Sequence, residues 1–156
     1  MTIEINAPIP EFSALKATSG TEVSSGTLKD KFSVLYFYPK DSTSGCTLES
    51  QDFSRLHDEF LALDCQIFGV SRDSIKSHEN FKAQQSMPFE LISDPDEALC
   101  SAFDVMKMKN MYGKQVRGVE RSTFLIDQSG VLVAEWRKVK VPGHADEVLE
   151  TLRGLS

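Results

Sequence analysis

One cysteine stands where sulfur chemistry is easiest to build. Cys46 lies in the run Tyr38-Pro39-Lys40-Asp41-Ser42-Thr43-Ser44-Gly45-Cys46-Thr47-Leu48-Glu49. An apolar strand precedes this Pro/Ser/Gly-rich loop, and a helix opens at its end. Unpaired backbone N–H groups and the helix dipole favour negative charge at a helix N-terminus. A thiol held there ionises more readily, and the thiolate is the reactive form. The spacing therefore predicts an activated sulfur in the first third of the chain. The ordinary fate of a free cysteine is burial as a small inert hydrophobe, and the loop and helix start argue against that here.

The elements that must position Cys46 are legible on either side of it. Val34-Leu35-Tyr36-Phe37-Tyr38 is a near-continuous apolar run within Phe32 to Tyr38, as a strand buried on both faces requires. From Cys46 to Leu63, Phe53, Leu56, Phe60 and Leu63 recur at helical spacing. Residues Gln66 to Ser71 read as a second buried strand, and Ser74 to Gln85 as a helix capped by Ser74 or Asp73. Met87 to Ile92 reads as a short strand, and Asp94-Pro95 then starts a helix over Asp96 to Phe103. Arg121 to Asp127 is a strand that Asp127-Gln128-Ser129-Gly130 turns into the alternating strand Val131 to Val139. Ala145 to Leu155 closes the chain as an amphipathic helix. The first thirty residues read as short extended pieces and turns. This order predicts a single α/β domain over residues 1–156, a mixed central sheet with helices on both faces. Sites in such sheets sit at the carboxyl ends of strands, which is where Cys46 falls.

Composition narrows the function. The chain has 156 residues, 40% of them hydrophobic, and a net charge of −6. Nucleic acid and anionic membranes prefer basic surfaces, so neither is the expected partner. No window approaches the roughly 20 apolar residues of a membrane helix. The N-terminus, Met1-Thr2-Ile3-Glu4-Ile5-Asn6-Ala7-Pro8, does not read as a signal peptide. Three widely spaced cysteines are no disulfide framework, and the expected setting is a reducing cytoplasm.

The motif Pro39-x-x-x-Thr43-x-x-Cys46 resembles the peroxiredoxin active site. The longer string Tyr38-Pro39-Lys40-Asp41-x-Thr43-x-Gly45-Cys46-Thr47-x-Glu49 resembles the bacterioferritin-comigratory protein, or peroxiredoxin Q, branch. Further matches are Ala7-Pro8-x-Pro10-x-Phe12, Gly69-Val70-Ser71-Arg72-Asp73-Ser74, Leu91-Ile92-Ser93-Asp94 and Arg121-Ser122-Thr123-Phe124-Leu125-Ile126-Asp127. The resemblance implies a thioredoxin-like fold and thiol-dependent peroxide reduction. It implies Cys46 as the peroxidatic cysteine, Thr43 as the peroxide-binding hydroxyl, Pro39 as the shield of the thiolate and Arg121 as its cationic support. Glu49 belongs to the motif too and takes a supporting place behind them. The chemistry is coherent. A thiolate attacks one peroxide oxygen while the other leaves with negative charge, so hydrogen-bond donors from Thr43 and the Cys46 N–H, and a guanidinium, stabilise the change. Arginine suits this because it stays charged and offers several donors. Proline has no N–H to compete.

The remaining candidates have plainer readings. Cys65, at the entry to a strand, reads as core. Cys100 reads as helix packing, with a lesser role as a resolving thiol for a partly unfolded Cys46. His57, His78 and His144 have no metal-ligand spacing and read as surface residues. Met106 to Tyr112 holds three of the five methionines and reads as an adaptable loop, or as a pliable rim for organic hydroperoxides or a partner.

The chain departs from its branch at the second sulfur. Five residues after Cys46, a usual place for a resolving cysteine, stands Gln51; in the following helix Lys82 stands where another is expected. No Cys-x-x-Cys is present. The reading is therefore a one-cysteine peroxidase for hydrogen peroxide and alkyl hydroperoxides, cycling through sulfenic acid. An external thiol such as thioredoxin, glutaredoxin or glutathione would resolve it. No metal or organic cofactor is expected, and the chain is read as a monomer or weak homodimer. The alternatives are resolution by Cys100, a non-enzymatic redox sensor on the same Cys46, and a structural or chaperone-like protein in which Cys46 is incidental.

Overall fold

The computed structural model describes residues 3–155; the N-terminal reading that begins at Met1 and Thr2 lies partly outside them. Its centre is β3 (Phe32–Phe37), buried at every position. Alternate residues of a strand face opposite sides of a sheet, so a strand apolar at all but Ser33 needs a core on each. Val34, Tyr36 and Tyr38 enter one core, and Leu35 and Phe37 enter the other. β4 (Cys65–Ser71) pairs parallel with β3, and β5 (Glu90–Ser93) pairs parallel with β4. On the other side, β8 (Ser122–Ile126) and β9 (Leu132–Trp136) add antiparallel, completing the order β5-β4-β3-β8-β9. This mixed five-stranded sheet matches the expected fold class.

The first core lies under three helices: α1 (Ser44–Ala62), α2 (Ile75–Gln85) and α4 (His144–Leu155). Phe53, Leu56 and Phe60 of α1 meet Phe81 of α2 and Val148, Leu149 and Leu152 of α4 there. Tyr36 seats α1 on the sheet, with its ring 4.8 Å from Phe53 and its hydroxyl 3.0 Å from Ser50 Oγ. The neighbouring β4 residue is Gly69, where an added Cβ would stand 2.8 Å from the Tyr36 hydroxyl and 2.7 Å from Leu91.

The opposite face carries one short helix, α3 (Ala98–Ala102), together with N-terminal segments that include β1 (Leu15–Lys16) and β2 (Glu22–Val23). α3 starts two residues later than its sequence suggests. Asp94-Pro95-Asp96-Glu97 first makes a turn, with Glu97 at φ +62°, and the Asp94 carboxylate then accepts the N–H groups of Leu99 and Cys100.

One element differs outright from expectation. Met106 to Tyr112 is not a loop. β6 (Met106–Met111) pairs antiparallel with β7 (Lys114–Val119) across a two-residue turn. Tyr112 and Gly113 both have positive φ, +52° and +78°, as a type I′ hairpin turn needs.

Candidate active site

The β3 chain runs straight into the site. The Tyr38 N–H still bonds to the Val70 carbonyl at 3.0 Å; Pro39 follows, half-buried, and the loop turns at Ser42, φ +64°. Thr43 is the N-cap of α1, yet its side chain does not cap the helix. Its hydroxyl donates instead to the Lys40 carbonyl at 3.0 Å. With its hydrogen on the Lys40 carbonyl, Thr43 Oγ1 has its lone pairs left to accept rather than a hydrogen to donate. The first backbone bond of α1 runs from the Thr47 N–H to the Thr43 carbonyl at 2.9 Å. The Cys46 N–H therefore precedes the helical ladder, among the donors a helix start leaves open.

Cys46 is the third residue of α1 and 1% exposed. Arg121 reaches it from the segment before β8, because β8 runs beside β3 with Ser122 opposite Phe37. Arg121 Nη2 donates to Cys46 Sγ at 3.3 Å, and Nη1 donates to Glu49 Oε1 at 2.6 Å. Glu49 sits one turn beyond Cys46, and residues three apart share a helix face. One guanidinium thus spans the sulfur and the carboxylate. Gly45 leaves room for it: a Cβ there would be 3.3 Å from Arg121 Nη2. Glu49 is 1% exposed and its Oε2 has no hydrogen-bond partner among the described residues. Burial pushes its carboxyl up to about 7, against the lowering effect of Arg121.

Comparison with known proteins places the chain in a family. The AhpC/TSA family model matches residues 5–135. The chain belongs to this family. It is 57% identical over 139 residues to Peroxiredoxin Bcp of Xanthomonas campestris pv. campestris, covering 89% of this chain and 87% of that one. It is 49% identical over 156 residues to Peroxiredoxin Bcp of Bacillus subtilis, covering 100% and 99%. Among solved structures it is similar to Peroxiredoxin Q of Xanthomonas campestris, with a TM-score of 0.90 and 52% identity over 96% of this chain and 98% of that one. The expected peroxiredoxin branch, thioredoxin-like fold and thiol-dependent peroxidase activity are thereby shown.

Within this peroxiredoxin the other two cysteines are placed differently. Cys65 begins β4, beside Phe32 at the start of β3. Sixteen residues of α1, from 47 to 62, lie between it and Cys46, about 24 Å at ~1.5 Å per residue. Burial pushes its thiol up to about 12. Cys100 belongs to α3 and to the second core, so the sheet stands between it and Cys46. Burial, with Asp94 beside it, pushes its thiol well above the ordinary range. All three cysteines are free. The two positions without sulfur are occupied by surface contacts: Gln51 Nε2 donates to Gln85 Oε1 at 2.8 Å, and Lys82 Nζ meets Glu90 Oε1 at 2.6 Å.

Two histidines read as surface residues are not. His78 is fully buried and His144 is 4% exposed, while His57 is half-buried. Each buried ring has a partner distant in sequence: Asp41 and the Ile92 carbonyl for His78, Thr123 for His144. Burial, aided by Arg121, pushes His144 down to about 4. The β6–β7 hairpin also reaches toward the site. Lys109 Nζ donates to the Val119 carbonyl, two residues before Arg121, and its pKa is lowered by burial and by Arg121 while Cys46 opposes.

Proposed function

We propose that Cys46 is the peroxidatic cysteine, and that a thiol outside the chain resolves it. The observation that carries this is the single guanidinium held between Glu49 and Cys46 Sγ. The thiolate sulfur attacks one peroxide oxygen. An S–O bond forms, the O–O bond breaks, and the second oxygen takes a proton and leaves as water or alcohol. Sulfur loses two electrons and becomes sulfenic acid. Thr43 Oγ1 accepts the peroxide O–H and so orients it, the Cys46 N–H donates to the attacked end, and Arg121 stabilises the developing charge. Pro39 walls the sulfur off without adding a donor. Glu49 holds Arg121 in place.

Resolution follows from where the sulfurs lie. A disulfide needs Cα atoms within about 7 Å. About 24 Å of α1 separates Cys65 from Cys46, and the sheet separates Cys100 from it, which supports an external partner over either. An incoming thiol R–SH condenses with the sulfenic acid, releases water and leaves a mixed disulfide; a second thiol then frees Cys46 and departs as the oxidised pair. A sulfur 1% exposed admits a small peroxide, whereas a larger thiol requires the first turn of α1 to open. The reductant belongs to the thioredoxin or glutaredoxin/glutathione class. Alkyl hydroperoxides join hydrogen peroxide as substrates, as the alkyl peroxide reduction activity of the similar Xanthomonas campestris bacterioferritin comigratory protein supports. The setting is cytoplasmic; no described helix is long and apolar enough to cross a membrane. The whole chain acts as one domain, a monomer or weak homodimer. The experiment is steady-state peroxide turnover with thioredoxin or glutathione as reductant. Turnover in the parent and none in Cys46→Ser supports the proposal; undiminished turnover in that variant overturns it.

A further inference from the structure

The loop that carries Pro39 and Thr43 has one buried side chain, and it is a carboxylate. Lys40, Ser42, Thr43 and Ser44 are exposed, whereas Asp41 is 6% exposed. Its Oδ1 accepts the Tyr38 hydroxyl at 2.7 Å. Its Oδ2 accepts the Ser77 hydroxyl at 2.8 Å and faces His78 Nδ1 at 2.7 Å. The Asp41 N–H donates to Asp73 Oδ2 at 2.9 Å. His78 is clamped from behind: its Nε2 lies 2.9 Å from the Ile92 carbonyl. A carbonyl only accepts, so Nε2 bears a hydrogen. The contact between Nδ1 and Asp41 must then hold one further proton, on nitrogen or on oxygen. The pair thus joins the loop to α2 and β5 through directional bonds.

A second observation points the same way. Ser42, between Asp41 and Thr43, has φ +64°. A non-glycine residue persists in the left-handed region when its surroundings over-determine it. Here the anchor on one side is Asp41, and on the other the Thr43 hydroxyl bond to Lys40 and the start of α1.

We propose that Asp41 and His78 form a positioning pair that sets the loop geometry through which Thr43 and Pro39 orient peroxide toward Cys46. The proposal rests on the peroxide-binding assignment of Thr43 and Pro39 made above. Neither Asp41 nor His78 touches the reacting atoms. A misplacement of about 1 Å at a reacting centre costs on the order of 10²-fold in rate, so losing the pair has a kinetic signature beyond stability.

Removing one partner of a buried pair is strongly destabilising, whereas replacing both with apolar residues of similar volume is often neutral. The test uses that difference. Asp41→Leu/His78→Phe leaves no unpaired buried charge, though the Tyr38 hydroxyl and Ile92 carbonyl lose their partners, so it should keep the circular dichroism spectrum at a lowered thermal midpoint while slowing the reaction of Cys46 with hydrogen peroxide about tenfold or more. Alkylation of Cys46 by iodoacetamide, which needs the thiolate but no oriented peroxide, should not fall. Asp41→Asn is the conservative rescue, since its amide donates to a neutral Nδ1 and its oxygen still accepts from Tyr38; it should react at close to the parent rate, faster than either single deletion below. Tyr38→Phe and Ser77→Ala each delete one bond to Asp41 and leave the pair, and each should slow the peroxide step by about threefold. They read the same quantity should the double variant not fold. The proposal is overturned if the folded double variant reacts at the parent rate, if alkylation falls in parallel with the peroxide reaction, or if both single deletions leave the peroxide rate unchanged. Cys46→Ser is run beside them. Retained turnover there indicts the site assignment itself, whereas its loss with full speed in the paired variants indicts only the positioning role.

Discussion

Cys46 and Cys100 are almost equally hidden, at 1% and 0% exposure, yet their surroundings have opposite sense. Around Cys46 the charge is positive: Arg121 donates to the sulfur, and a helix of 19 residues begins two positions before it. Around Cys100 it is negative: Asp94 takes the Cys100 N–H at 2.7 Å and stands beside a thiol already raised by burial. α3 is only five residues long, and its first donors are consumed by Asp94. Burial alone therefore does not mark a sulfur as inert. The sign of the nearest charge and the availability of helix-start donors separate the proposed peroxidatic cysteine from the packed one.

The sharpest way to break the comparison is to delete each sulfur. Cys46→Ser should abolish peroxidase turnover, while Cys100→Ser and Cys65→Ser should each keep most of it. Next come the groups that give the Cys46 side its polarity. Arg121→Ala and Thr43→Val should each slow the reaction with peroxide by about 10²–10³-fold, as loss of a preorganised hydrogen-bonding group does, with the circular dichroism spectrum unchanged. Stopped-flow rates at saturating thiol would read this, and a variant equal to the parent would remove that residue from the mechanism. A smaller effect is expected from Gly45→Ala. Its Cβ would press on Arg121 Nη2 at 3.3 Å, so the guanidinium must retreat by a few tenths of an ångström, and the rate should fall by up to about tenfold.

An effect on stability rather than rate comes from Glu49. Its folded carboxyl is raised by burial to about 7 from 4.5. Between those values the native state holds the proton and the unfolded state releases it. Stability should therefore fall as pH rises from 4.5 toward 7 and level off above, with a slope of at most about 1.4 kcal/mol per pH unit. Glu49→Gln should flatten that slope in urea titrations run across the window. A slope unchanged in the variant would assign the pH dependence to another group.

The parts legible in sequence were those with a strong local pattern. β3 announces itself as a near-continuous apolar run, α1 by Phe53, Leu56 and Phe60, and α2 by Ser74, whose side chain accepts the Ser77 N–H. Pro39, Thr43, Cys46, Glu49 and Arg121 were named from their motif, and the structure brings Cys46, Glu49 and Arg121 into direct contact. The β6–β7 hairpin was missed because β7 is exposed at its first four positions, so no alternation of buried and exposed residues marks it. Only Tyr112-Gly113, between two runs of equal length, carried a signal. His78 and Asp41 were missed for a different reason: a buried polar residue is defined by its partner, and these two are 37 residues apart. Gly45 has no role legible in its motif, because the guanidinium it admits comes from the residue just before β8, 75 residues further on than Cys46.

The central claim is that Cys46 alone takes up the oxidising equivalent and waits for a thiol from outside. Mass spectrometry of the purified chain after one equivalent of hydrogen peroxide, with dimedone and without added thiol, tests it most directly. The expected product is a dimedone adduct on Cys46, with Cys65 and Cys100 still free thiols. A quantitative Cys46–Cys100 disulfide, with turnover lost in Cys100→Ser, would contradict it.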